Sequence, residues 1–146
     1  MPLEGEYEPS SWDWVREQVE EYEASGGQRA NTFADTGLPI IVMTNRGHKS
    51  GKLRKTPLMR VEHEGEYALI ASVGGSPTNP GWYHNLLADP HVTVQDGAEV
   101  IDAVAEQVEG EERDAWWARA VAAYADYQTY QDATERRIPV FVTRRQ

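Results

Sequence analysis

Residues 38–73 read LPIIVMTNRGHKSGKLRKTPLMRVEHEGEYALIASV, and this stretch decides the fold. Leu38–Asn45 is apolar and β-branched, the composition of a buried strand. A cationic turn follows at once. Lys55–His63 and Tyr67–Val73 then flank Glu64-Gly65, a hairpin signal. Strands joined this way lie antiparallel.

The same logic extends outward in both directions. Upstream, Ser10 with Asp13 fits a capping box that opens a helix over 11–25. Trp12, Val15, Val19 and Tyr22 fall on one face of it, the glutamates take the other, and Gly26-Gly27 ends it. Downstream, Gly74–Pro80 is a loop, and Gly81–Ala88 is a short helix stopped by Asp89-Pro90. His91–Gln95 and Ala98–Val108 flank Asp96-Gly97 as a second hairpin. Glu111–Tyr124 and Asp126–Arg136 are helical, and Ile138–Thr143 is a last strand. The expected class is α+β: an antiparallel sheet of about six strands, able to close into a small barrel, with packed helices.

The chain has 146 residues, so a single domain over 1–146 is expected, large enough for a core without staples. It has no cysteine, which removes disulfides, thiolate nucleophiles and Cys-based zinc sites. No apolar leader follows the first residues, MPLEGEYEPS, so no signal peptide is read and a cytoplasmic setting is expected. No apolar run is long enough to span a bilayer. The net charge of −10 opposes non-specific nucleic-acid binding and leaves at most peripheral contact with a membrane. Neither a Gly-x-Gly-x-x-Gly nor a P-loop pattern is present, and the four histidines lack metal spacing.

Against that acidic background, Arg46–Lys55 holds five of the 14 basic residues, where even spreading gives about one. A solvated turn is the plain reading of such a run. An anion site is the other: glycines let backbone N–H groups curl round an oxyanion, Lys49 and Lys52 add point charges, and Arg54 adds a planar fork. Three further stretches can carry chemistry. Ala71-Ser72-Val73-Gly74-Gly75 is either a glycine loop or a bed for a flat ring. In Asn79–Leu86, Trp82 is a core residue or a pocket wall, with Asn85 nearly one turn along. Tyr124, Tyr127 and Tyr130 are core packing, or a cover for an aromatic ligand that offers hydroxyls.

Together these stretches resemble the deazaflavin (F420)-dependent nitroreductase family, a branch of the split β-barrel flavin and deazaflavin oxidoreductases that includes F420H2-dependent quinone reductases. The resemblance rests on Gly47–Leu58 (GHKSGKLRKTPL), Ala71-Ser72, Asn79–Leu86 (NPGWYHNL), Ala88-Asp89-Pro90, Tyr124-x-x-Tyr127-x-x-Tyr130 and Ile138-Pro139, in that order. It implies an antiparallel split β-barrel and coenzyme F420 as cofactor. By the same resemblance, His48, Lys49, Ser50, Gly51, Lys52, Arg54 and Lys55 would hold the phosphate and oligoglutamate tail. Thr56, Pro57, Leu58 and Met59 would line the groove, Ala71, Ser72 and Val73 would meet the ring, and Trp82, Tyr83 and Asn85 would border it. Ser72, Tyr124, Tyr127 and Tyr130 would face the substrate, with Ser72 and Tyr124 as the catalytic pair.

The activity so implied is hydride transfer from F420H2 to a small-molecule electron acceptor: a quinone, nitroaromatic or enone. Met59 and Val73 stand where some members carry tyrosine and lysine, which leaves the acceptor open. An FMN-binding barrel and a non-catalytic cofactor-binding module are the rival readings.

Overall fold

The computed structural model describes residues 3–33 and 36–146. Helix α1 (Asp13–Ala24) leads into strands β1 (Ile40–Arg46), β2 (Leu53–Met59), β3 (Glu62–His63) and β4 (Glu66–Ile70). A 3-10 turn (Val73–Gly75) and helix α2 (Gly81–Ala88) precede β5 (His91–Asp96) and β6 (Glu99–Gln107). Helices α3 (Gly110–Ala123) and α4 (Asp126–Asp132) and strand β7 (Val140–Arg145) complete the chain.

All strand pairs are antiparallel, and the seven-stranded order is β2-β1-β5-β6-β7-β4-β3. The expected single strand over 55–63 is divided. Its first part pairs with β1 and its second with β4, at opposite ends of the sheet. Only Arg60 and Val61 separate the two, a reach of roughly 10 Å. The sheet must therefore curl until its ends meet, and the expected six strands become seven. Two bonds fasten the corner: Arg60 N–H donates to Pro39 O (3.0 Å) and Ala68 N–H to Val61 O (2.9 Å).

Curling gives the sheet two buried faces. Ile41 and Met43 of β1 join Leu69, Val92, Val94, Ile101, Ala103 and Phe141 in an interior core, plugged by Trp82 and Leu86 of α2. Ile40 and Val42 point the other way, into a layer with Val19 and Tyr22 of α1, Trp116 and Ala120 of α3, and Tyr124 and Tyr127. Period-two alternation with apolar partners on both sides accounts for the unbroken apolar run of β1.

Helix α1 departs from its expected cap. Ser10 Oγ accepts from Trp12 N–H (3.1 Å) and Asp13 pairs with Arg16, so no capping box forms. Trp12 is exposed rather than packed; Val19 and Tyr22 carry the buried face. Burying a side chain the size of Val19 is worth about 1.5–3 kcal/mol. The helix end is pinned to the β5–β6 turn. Tyr22 Oη accepts from Gly97 N–H (2.7 Å), and a Cβ on Gly27 would lie 2.4 Å from Gly97 Cα. Helix α4 stops at Asp132, short of the expected Arg136, and the chain leaves it through a turn at Ala133 and a bend at Glu135-Arg136. No helix among the described residues is long and apolar enough to cross a membrane.

Candidate functional site

The β1–β2 turn is a built loop. Gly47 N–H donates to Lys52 O (2.8 Å) and Gly51 N–H to Gly47 O (2.9 Å), while Ser50 Oγ accepts from Lys52 N–H (3.1 Å). Helix α2 holds it from below. The buried side chain of Asn85 accepts from His48 N–H (3.0 Å), and its Oδ1 lies 2.6 Å from His48 Nδ1. The N–H groups of Lys49 and Ser50 make no hydrogen bond among the described residues. They are left to solvent or to an anion.

This loop, β2 and α2 enclose a cleft of about 540 Å³, lined by Glu8, Gly47, His48, Lys49, Ser50, Arg54, Thr56, Gly81, Trp82 and Asn85. Seven of these are residues that the sequence nominated for a cofactor. Trp82 serves both of its readings: it is buried in the interior core against Phe141 (ring centroids 6.1 Å apart) and lines the cleft.

Strand alternation sorts the rest. Arg54, Thr56 and Leu58 stand opposite Asn45, Met43 and Ile41, so they share the interior-facing side. Lys55, Pro57 and Met59 must then face the helix layer. Lys55 Nζ donates to Glu23 Oε2 of α1 (2.6 Å), and Met59 is buried in the helix-side core. None of these three lines the cleft. Lys52 lies outside the cleft with Gly51, 4.0 Å from Glu6. Arg46 is committed to backbone, donating to Gly51 O and Glu4 O (both 2.8 Å). Tyr83 packs edge-on against Phe141 (5.8 Å) and does not line the cleft.

A second constellation surrounds the 3-10 turn. Ala71 is fully enclosed; Ser72 and the exposed Val73 carry that edge. Ser72 Oγ is engaged by no described residue. Val73 has φ +44°, the left-handed region, which a β-branched side chain rarely adopts. Arg136 overrides that strain: its guanidinium donates to Ala71 O (3.1 Å), Ser72 O (2.8 Å), Ser76 O (2.7 Å) and Asn79 Oδ1 (2.8 Å). Burial among these neutral partners pushes the guanidinium pKa below its ordinary value. The sequence reading missed Arg136 by absorbing it into a helix. Its one signal was a cation just before the last strand.

The turn packs on α4, so closely that a Cβ on Gly75 would lie 2.9 Å from Tyr130 O. The tyrosines there straddle the break between α3 and α4. Tyr127 is buried core, edge-on to Tyr124 at 5.1 Å. Tyr124 is nearly buried, with its hydroxyl 2.7 Å from that of the more open Tyr130. Burial, and then the Tyr130 hydroxyl, push the Tyr124 pKa well above that of a free phenol. The pair holds two O–H groups and uses one between them, so the other can be offered to a ligand, with the Asp126 carboxylate as its competitor.

Comparison with known proteins places this arrangement. The family model described as F420H(2)-dependent quinone reductase matches residues 14–145. An F420H(2)-dependent quinone reductase of Mycobacterium tuberculosis is 34% identical over 110 residues, covering 73% of this chain and 74% of the relative. A solved F420-H2 dependent reductase (FDR-A) is 53% identical, covers 73% of this chain and 94% of its own, and superposes with a TM-score of 0.70. A second structure, described as a domain-swapped dimer, is 49% identical with a TM-score of 0.72, covering 92% and 100% of the two chains.

Proposed function

The chain belongs to the F420H(2)-dependent quinone reductase family, and from that premise we propose that it reduces a quinone at the expense of F420H2. The observation that carries this reading is the cleft: a cationic, glycine-built loop beside an indole wall, in a chain of net charge −10. Its donor set suits a polyanionic cofactor end. The free N–H groups of Lys49 and Ser50, the Lys49 ammonium and the Arg54 fork would hold phosphate and glutamate carboxylates. Asn85 fixes the loop that presents them, and Thr56 and Trp82 line the way inward.

When bound, reduced F420 supplies a two-electron hydride donor. The residues at the 3-10 turn supply what that chemistry needs from the protein. Arg136 fixes the backbone on which Ser72 sits. Ser72 Oγ and the other O–H of the Tyr124–Tyr130 pair offer hydrogen bonds to an acceptor oxygen as it gathers negative charge. Tyr124, like any phenol, is protonated at neutral pH, and its raised pKa further disfavours loss of the proton, so it acts as a donor rather than a base. Quinones, conjugated enones and nitroaromatics all present such an oxygen, and we take quinones as the principal class with the others as side acceptors. We place the reaction in the cytoplasm, which the absence of cysteine suits.

The test is turnover by purified protein with F420H2 and menadione, a soluble naphthoquinone. Oxidation of F420H2 well above the protein-free rate is expected. Tight F420 binding without turnover would instead mark a non-catalytic cofactor-binding module.

A further inference from the structure

The acidic segment ahead of α1 does not hang free. It lies along the outer edge of β2, the terminal strand of the sheet, in a parallel bridge between Tyr7 and Leu53. Leu53 N–H donates to Glu6 O (2.7 Å), and Glu8 N–H donates to Leu53 O (2.9 Å). The register aligns two acids with two bases, each pair spaced by two residues. Glu8 Oε1 accepts from Arg54 Nη1 at 3.1 Å, and Glu6 Oε1 lies 4.0 Å from Lys52 Nζ. Glu8 also lines the cleft itself. Further in, Lys55 Nζ sits 4.7 Å over the Tyr7 ring, and Arg46 donates to Glu4 O.

Glutamate carboxylates on an extended backbone thus occupy Arg54, a cation that lines the cleft, and Lys52 just outside it. The contacts are of a displaceable kind. The side chains of Arg54 and Glu8 are 38% and 42% exposed, so solvent screens the pair. We propose that residues 4–8 form an internal acidic strap that competes with the anionic end of the cofactor for Lys52 and Arg54 and is released when the anion binds. This rests on the F420 reading only for the identity of the anion; the strap itself is seated on β2 whatever fills the cleft.

The test uses the full chain. Removing both strap charges in Glu6→Gln/Glu8→Gln should tighten F420 binding about fivefold in a fluorescence titration, the scale set by an exposed ion pair. Glu17→Gln/Glu20→Gln, which removes the same charge from the exposed face of α1, should leave affinity unchanged. In the wild type, hydrogen exchange at the Glu8 and Leu53 amides should accelerate when ligand is added, because their bonds to Leu53 O and Glu6 O open. Unchanged or weaker binding in the strap variant overturns the proposal, as does slower exchange at those amides. Inorganic pyrophosphate and a triglutamate peptide serve as parallel probes. If they bind more tightly to the strap variant while F420 binds neither protein, the cofactor reading fails and the strap stands.

Discussion

The hydroxyls of Tyr124 and Tyr130 lie 2.7 Å apart beside a turn that Arg136 braces with four hydrogen bonds. Each of the two devices makes its own prediction. Tyr124→Phe removes the internal hydroxyl contact, at a cost of about 1 kcal/mol in stability. It should lower turnover about tenfold with little change in cofactor affinity. That is less than the roughly hundredfold loss of a lone oxyanion donor, because the Tyr130 hydroxyl remains. Steady-state kinetics check this, and unchanged turnover removes Tyr124 from the mechanism. Arg136→Ala leaves three carbonyls and Asn79 without their donor and frees the strained Val73. A loss of about 2–3 kcal/mol in a denaturant titration is expected, with turnover falling together with stability.

At the scale of elements, strand β2 separates neighbours that are alike in sequence. Arg54 and Lys55 are adjacent cations in one loop-strand run, yet one lines the cleft and the other pairs with Glu23 on α1. Lys55→Ala should therefore cost about 0.5–1 kcal/mol of stability and leave F420 affinity within about twofold. A thermal melt with a binding titration checks both, and a large loss of affinity would return Lys55 to the cofactor site. The alternation was available in the sequence, but the resemblance treated the run 54–59 as one contact surface. Other features were legible as they stand. The apolar run of β1, the Glu64-Gly65 and Asp96-Gly97 hairpins and the short α2 all follow from local pattern. The division of 53–63 into two strands did not, because no glycine or proline marks the bend at Arg60-Val61; long-range pairing makes it. Arg136 and Glu8 were hidden for the same reason, since their partners are far away in sequence.

The whole molecule carries a further signature in its buried phenols. Burial raises the pKa of Tyr67, Tyr124 and Tyr127, with Asp96 adding to the effect at Tyr67. Between the free-phenol value of 10.0 and their raised folded values, the native state keeps protons that the unfolded chain has shed. Their contribution to stability is complete below about pH 10 and is lost as the pH rises further. Denaturant midpoints should show no tyrosine-linked slope from pH 7 to 9, then fall steeply above 10. The fold that buries these rings also brings the basic loop, α2 and the acidic segment 4–8 to one cleft, and the account turns on what that cleft holds. The most direct measurement is a fluorescence titration of F420 carrying short or long glutamate tails, with FMN alongside, on the wild type and Arg54→Ala. The account predicts that the wild type binds F420 in preference to FMN and favours longer tails. It predicts that Arg54→Ala binds about tenfold more weakly and loses the tail preference. Equal affinity of the two proteins for every tail length, or FMN binding as tightly as F420, would contradict it.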